Sequence, residues 1–216
     1  MNNSSPRLKR NRFMLKTAVT ACSILFASTL AAQEEPSQLN TVLDIDALYT
    51  PLESQPIHGE TALNLLNELE TKHYSSVSID DNFSSTVFDS YIDSLDGSKL
   101  YFLDEDINRL SGYRYTLDNS LESGSVEPGF EIYNVYYKRI LERMIYAVNR
   151  VENHIDEMDF TIDESIIIDR EDAPYAASLA ELDELWRLRV KNSVLSLKLT
   201  GDDNEEIKEK LGKRYR

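Results

Sequence analysis

From Glu60 onward, apolar side chains return every three or four residues, and the spacing predicts a succession of helices. In ETALNLLNELETKHY, Leu63, Leu66, Leu69 and Tyr74 fall near one face. In SIDDNFSSTVFDSYIDSLD, Phe83, Val87, Tyr91 and Leu95 are spaced four apart, with Phe88 and Ile92 beside them. Asp80 or Asp81 is placed to cap this second helix, and Asp96-Gly97 to end it. A third helix is expected from Asp104, where Asp104, Glu105 and Asp106 put negative charge at the favourable end of the helix dipole. It carries Ile107, Leu110, Leu117 and Leu121, with Gly124 as its stop.

The longest pattern begins near Pro128, a residue tolerated at a helix's first position. It runs through Tyr133, Tyr136, Tyr137, Ile140, Met144, Val148, Val151 and Ile155, which predicts a helix about 42 Å long. Residues 159–177 break the helical period. Ile166, Ile167 and Ile168 are short-spaced and β-branched, so an extended crossing segment or a lone strand is expected there. Ser178-Leu-Ala-Glu181 reads as a capping box opening a fifth helix, with Leu182, Leu185, Trp186, Arg189, Val190, Val194 and Leu197 and a break at Gly201. A last helix from Asp202 or Asp203 shows Ile207, Leu211 and Tyr215. The expected fold is mostly α, an irregular helical domain of about six helices with one extended segment. Because the final stripe runs to the last residues, the last two helices are expected to pack on something further along a longer chain.

The N-terminal region has a different character. MNNSSPRLKRNRFMLK holds Arg7, Lys9, Arg10, Arg12 and Lys16 without an acidic residue, followed by the small apolar run TAVTACSILFASTLAA and the polar QEEPSQ. That order is the basic, apolar and small-residue succession of an export signal, with cleavage expected after Ala31 or Ala32. An uncleaved anchor is one alternative. A lipoprotein signal at Cys22 is another, although Lys16 precedes that cysteine and the best apolar run follows it. Residues 1–32 are therefore read as the signal peptide, 33–58, punctuated by Pro36, Pro51 and Pro56, as a linker or loosely docked segment, and 59–216 as the helical domain.

Charge then narrows the partners. The 216 residues carry a formal net charge of −15. Without the five cations of the signal, 18 basic residues face 38 acidic ones, a net of −20. Such a surface repels nucleic acid and anionic membranes. Cys22 is the sole cysteine and leaves with the signal, so disulfide and thiolate chemistry leave with it.

Candidate chemistry is sparse. His58, His73 and His154 are the only histidines, and none lies three or four residues from another. Asp93–Gly97 and Asp202–Glu206 superficially resemble calcium loops but lack the alternating oxygen ligands, central glycine and late glutamate. No glycine-rich phosphate loop is present. Ser196 and Lys198 stand two apart on a predicted helix, so their side chains diverge and both read as surface positions. Tyr133, Tyr136, Tyr137 and Tyr146 line the long helix, as core and rim packing or as a recognition face. No catalytic, cofactor-binding or metal-ligating residue is assigned, and no cofactor is expected.

Particular strings carry more. HYSSVSIDDNFSSTVFDSYIDSLDGSKLYFLDEDI, YNVYYKRILERMIYAV, DFTIDESIIIDREDAPY and ELDELWRLRVKNSVLSLKLTGDDNEEIKEKLGKRY resemble, in order, the helical N-terminal domain of the tail-specific proteases, or carboxy-terminal processing peptidases, of the bacterial periplasm. The likeness covers roughly residues 60–216. It implies a parent protein in which a PDZ domain and a serine/lysine protease domain follow, acting on protein substrates with apolar C-terminal tails, with an adaptor protein as a further partner. No position here matches that family's nucleophile or base. The resemblance thus implies a periplasmic, non-catalytic part of a serine endopeptidase, and a chain truncated before the proteolytic domains. A free-standing exported helical binding module is the competing expectation.

Overall fold

A computed structural model describes residues 44–72 and 77–216. The export signal read over residues 1–32, and the His73-Tyr74 helix end, lie outside the described residues. Eight α-helices are present among them: α1 (Ile45–Leu48), α2 (Pro56–Lys72), α3 (Asp81–Asp96), α4 (Asp104–Leu110), α5 (Leu117–Glu122), α6 (Glu127–His154), α7 (Leu179–Leu199) and α8 (Asn204–Tyr215). The fold is mostly α, as the apolar periodicity requires.

Side-chain caps fix several helix starts. Asp80 accepts from the N–H groups of Asn82 and Phe83 at the start of α3, and Ser178 accepts from Glu181 at the start of α7. Asp203 and Glu206 exchange bonds in a full capping box at the start of α8. Gly201, at φ +99°, makes the left-handed turn between α7 and α8.

The long helix α6, 28 residues, is a spine shared by two cores. Its N-terminal half contributes Ile132 to a core with Phe88, Ile92, Phe102, Leu110 and Leu117. Its C-terminal half gives Ala147 and Val151 to a second core with Leu182, Trp186, Val190, Val194, Ile207 and Leu211. Phe102 belongs to the first core and its neighbour Leu103 to the second, on opposite sides of one short connection. That connection is heavily fastened. Asp96, only 2% exposed, accepts from the backbone N–H groups of Leu100 (2.7 Å), Tyr101 (3.0 Å) and Phe102 (2.9 Å). The indole N–H of Trp186 donates to the Leu100 carbonyl at 2.7 Å, and Leu103 pairs with Ala176 in an isolated parallel bridge.

Two expectations are corrected, and one left open between two forms is decided. The single third helix is two, since the chain leaves α-helical form at Ser111, passes through a 3-10 turn, and restarts at Leu117. The break lets Arg114 pair with Asp89 at 2.6 Å and lie over Phe88, while the Leu117 N–H donates to the Ser84 hydroxyl at 2.9 Å. Of the two forms left open for the Ile166–Ile168 run, the structure takes the extended crossing segment and not a strand among the described residues, since no second strand lies beside it. The apolar stripe of the last helix is not awaiting a partner. Ile207 and Leu211 are fully buried against α6 and α7.

Within the stretch 33–58, residues 44–58 rest against α6. Asn134 holds Leu52 by both backbone groups, accepting from its N–H and donating to its carbonyl, each at 2.8 Å. Tyr49 packs on Tyr137 at 5.8 Å. Helix α2 approaches the end of α5 closely. A Cβ on Gly59 would stand 2.2 Å from the Gly124 carbonyl oxygen, and Gly124 itself takes φ +75°.

Candidate functional site

Three surface depressions among the described residues bear on what this domain can do. The largest of these three, about 530 Å3, lies between α4, α6 and Tyr49 and is lined by Asp106, Arg109, Glu131, Lys138, Arg139 and Glu142 among others. Four of its charges, Asp106, Arg109, Arg139 and Glu142, are joined in one network, while Lys138 lies over the Tyr49 ring at 5.8 Å and Glu131 accepts from the Tyr113 hydroxyl. Asp106, 3% exposed, receives Arg139 Nε at 2.8 Å and Arg109 Nη2 at 3.4 Å, and also accepts the Leu103 backbone N–H at 3.1 Å. Arg139 further reaches Glu142 at 3.0 Å and Glu105 at 3.4 Å. Partial burial works against the Arg139 charge, but its bonds to Asp106 and Glu142 outweigh this and push its pKa up. A guanidinium so held stays charged at every working pH, so this network positions α4 on α6 and moves no protons.

The second depression, about 320 Å3, is apolar: Leu52, Tyr91, Val126, Gly129, Phe130 and Tyr133 line it. Tyr91 closes one side by donating to the Gly129 carbonyl at 3.2 Å. The third, about 90 Å3, lies where residues 160–166 cross α7 and is lined by Phe160, Ile162, Ile166, Leu188 and Leu195, with Lys191 at its edge. Glu164 ties this crossing segment down by pairing with Arg187 at 2.5 Å and with Lys191. Those two cations hold its carboxyl below the usual carboxylate range.

The residues weighed in the sequence fall as follows. His58 accepts the Gln55 N–H at 3.0 Å on Nδ1 and stacks on Phe130 at 5.2 Å, and His154 pairs with Glu157 at 2.9 Å. Among the described residues no group of three His, Cys, Asp or Glu could hold a metal ion. Asp96 turns inward to its three backbone donors, and burial pushes its carboxyl up against their opposing pull. In the other acidic stretch, Asp202 pairs with Lys210 at 2.6 Å and Asp203 caps α8. Ser196 donates to the Asn192 carbonyl at 2.8 Å, whereas Lys198 reaches Asn204 at 2.5 Å, so the two are not brought together.

The tyrosines divide by role. Tyr136 sits between Tyr101 at 5.5 Å and Phe102 at 5.6 Å, and burial there pushes its hydroxyl up to about 12. Tyr137 stacks on Tyr133 at 6.2 Å and is met by Tyr49, and Tyr146 lies under Arg143 at 5.3 Å. Tyr133 alone of the four lines the apolar depression. Sequence reasoning missed Asn134 and Arg139 and saw in Asp96 only a helix end, yet all three organise the molecule. Asp96 gave a local signal, a lone acid before Gly97-Ser98 and an apolar run, while Asn134 and Arg139 meet partners more than 30 residues away.

Taken together, the described residues form a mostly helical domain whose ion pairs and aromatic contacts serve its own packing, with one charged and two more apolar surface depressions. Residues 65–216 match the family model described as the tail specific protease N-terminal domain. A stretch of 148 residues is 40% identical to the tail-specific protease of Haemophilus influenzae, covering 68% of this chain and 21% of that relative. The chain belongs to the tail-specific protease N-terminal domain family. The matched stretch spans about a fifth of the relative's length. Among the described residues, no helix is long and apolar enough to cross a membrane.

Proposed function

We propose that this chain is the non-catalytic N-terminal helical part of a periplasmic serine endopeptidase that processes protein C-termini, exported by the signal read in residues 1–32. Its task is to pack on the PDZ and protease domains of the parent protein and to help enclose protein substrates with apolar tails. An adaptor protein is a further partner in this reading. The observation that carries it is the family match over residues 65–216. The separate engagements of Ser196 and Lys198 support it, since a serine/lysine dyad needs the amine at the hydroxyl.

The test is incubation of the purified 216-residue chain with a folded reporter bearing an apolar C-terminal tail. No cleavage is expected. Cleavage that survives Ser196→Ala and Lys198→Ala would show a catalytic centre elsewhere in the chain and end the proposal. One observation favours a second reading, a free-standing helical binding module. The last two helices bury their main apolar stripes within this chain, so the domain has its own core. A monodisperse, cooperatively unfolding chain that also binds a partner without any PDZ or protease domain would support that alternative.

A further inference from the structure

Between α6 and α7 the chain runs as DFTIDESIIIDRED, and its middle is unlike the rest of the molecule. From 163 to 167 it makes no turn or bend. No backbone N–H or C=O from 163 to 168 has a hydrogen-bond partner among the described residues. Helices satisfy such groups internally, whereas an unpaired straight segment offers them as a row to an incoming strand. The second half of this row, Ile166 to Ile168, is apolar, as is Ile162 just before it, while Asp163, Glu164 and Ser165 between them are polar. Ile162, Ile167 and Ile168 are 56%, 63% and 72% exposed. Ile166 turns into the groove with Leu188 and Leu195, and Leu199, one turn beyond Leu195, is 79% exposed. Three β-branched residues in succession suit a pleated surface better than any helix face. The row is also held in place, by the Glu164 pairs to α7 at one end. At the other, Arg170 donates to the carbonyls of Ser98, Lys99 and Pro174.

Charge decides the occupant. Asp159, Asp163, Asp169, Glu171 and Asp172 flank the isoleucines, and none has a cationic partner among the described residues. A second copy of this chain would bring the same acids face to face, and like charges opposed across strands are destabilising. An apolar segment with lysine or arginine at its ends meets the row on every count. We propose that residues 163–168 receive such a segment of another protein as an added strand, with main-chain bonds giving affinity and the groove beside Ile166 taking one of its aliphatic side chains. The inference does not depend on the protease reading, since it rests only on this surface.

The test uses the full chain and three fluorescein-labelled octapeptides. The first alternates valine and threonine between lysine pairs, the second replaces the lysines with glutamates, and the third keeps the lysines but carries N-methyl groups on alternate amides. Anisotropy should show saturable binding of the first, binding of the second weakened by about tenfold or more at low salt, and none of the third. Amide shifts should centre on residues 163–168. Ile167→Asp and Ile168→Asp, at exposed positions, should each abolish binding, and Leu65→Asp, equally exposed on α2, should leave it unchanged. Absence of saturable binding by the lysine peptide overturns the proposal. So do equal affinity for the glutamate peptide, shifts centred elsewhere, or full binding by both isoleucine variants.

Discussion

Replacing Asp96 by alanine should loosen the connection between the two cores, and the structure sets the size of the effect. Three backbone N–H groups lose their acceptor. Tyr101 is half-buried and can turn to water, but Leu100 is 7% exposed and Phe102 0%. Each orphaned buried donor costs about 1–3 kcal/mol. Relief of the burial that now pushes the Asp96 carboxyl up returns part of that, leaving a net loss of about 2–4 kcal/mol. In urea, with a slope of about 2 kcal/mol per molar, the midpoint should fall by about 1–2 M. Asp96→Asn keeps one acceptor oxygen and should lose roughly half as much. The molecule carries its own reporter. Trp186 is the one tryptophan, is 4% exposed, and donates its indole N–H to the Leu100 carbonyl in this same connection. Its emission should shift to the red in Asp96→Ala under native conditions. A variant within about 0.5 kcal/mol of wild type, or one with unshifted emission, would refute the reasoning, because surface substitutions routinely fall in that range.

Leu211→Ala should cost about 2–5 kcal/mol by calorimetry, and Leu199→Ala almost nothing, as Leu211 is fully buried and Leu199 is 79% exposed. Gly59→Ala should cost about 1–3 kcal/mol, because the new methyl meets the rigid Gly124 carbonyl and α2 must shift; faster amide exchange confined to α2 would be the signature. The depressed Glu164 carboxyl contributes stability that is complete above its ordinary value of 4.5 and is lost as pH falls through the lower folded value. Thermal melts of Glu164→Gln should therefore depend less on pH below 4.5 than those of wild type, and parallel curves would contradict the ion-pair assignment.

Helix positions were largely legible because their signals are local. Asp80, Ser178 and Asp203 cap where side-chain chemistry says they should, and α6 has the length its stripe implied. What failed depended on distant partners. The break at Ser111 arises because Arg114 and Leu117 find Asp89 and Ser84 on α3, a cause nothing in SGYRYT announces. An apolar stripe shows that a helix has a partner but not whether that partner precedes or follows it. For Ile207 and Leu211 it precedes, on α6 and α7. A β-branched run likewise signals fitness for a strand, and Ile166–Ile168 show that fitness without the neighbour that would complete it. Candidate sites were least legible, since the three depressions are built from residues far apart in sequence, joined by α6 or α7.

The adjacency of Phe102 and Leu103 bears on how the molecule comes apart. Two small cores on one long helix could unfold as separate units, each opening without the other. Here the step from one residue to the next crosses from one core to the other, and the same few atoms are pinned by Asp96, Trp186 and Ala176. Neither half can release its share of that connection without exposing the other's. The two cores should melt in a single transition, so that an end-to-end strain applied to either half is borne by both.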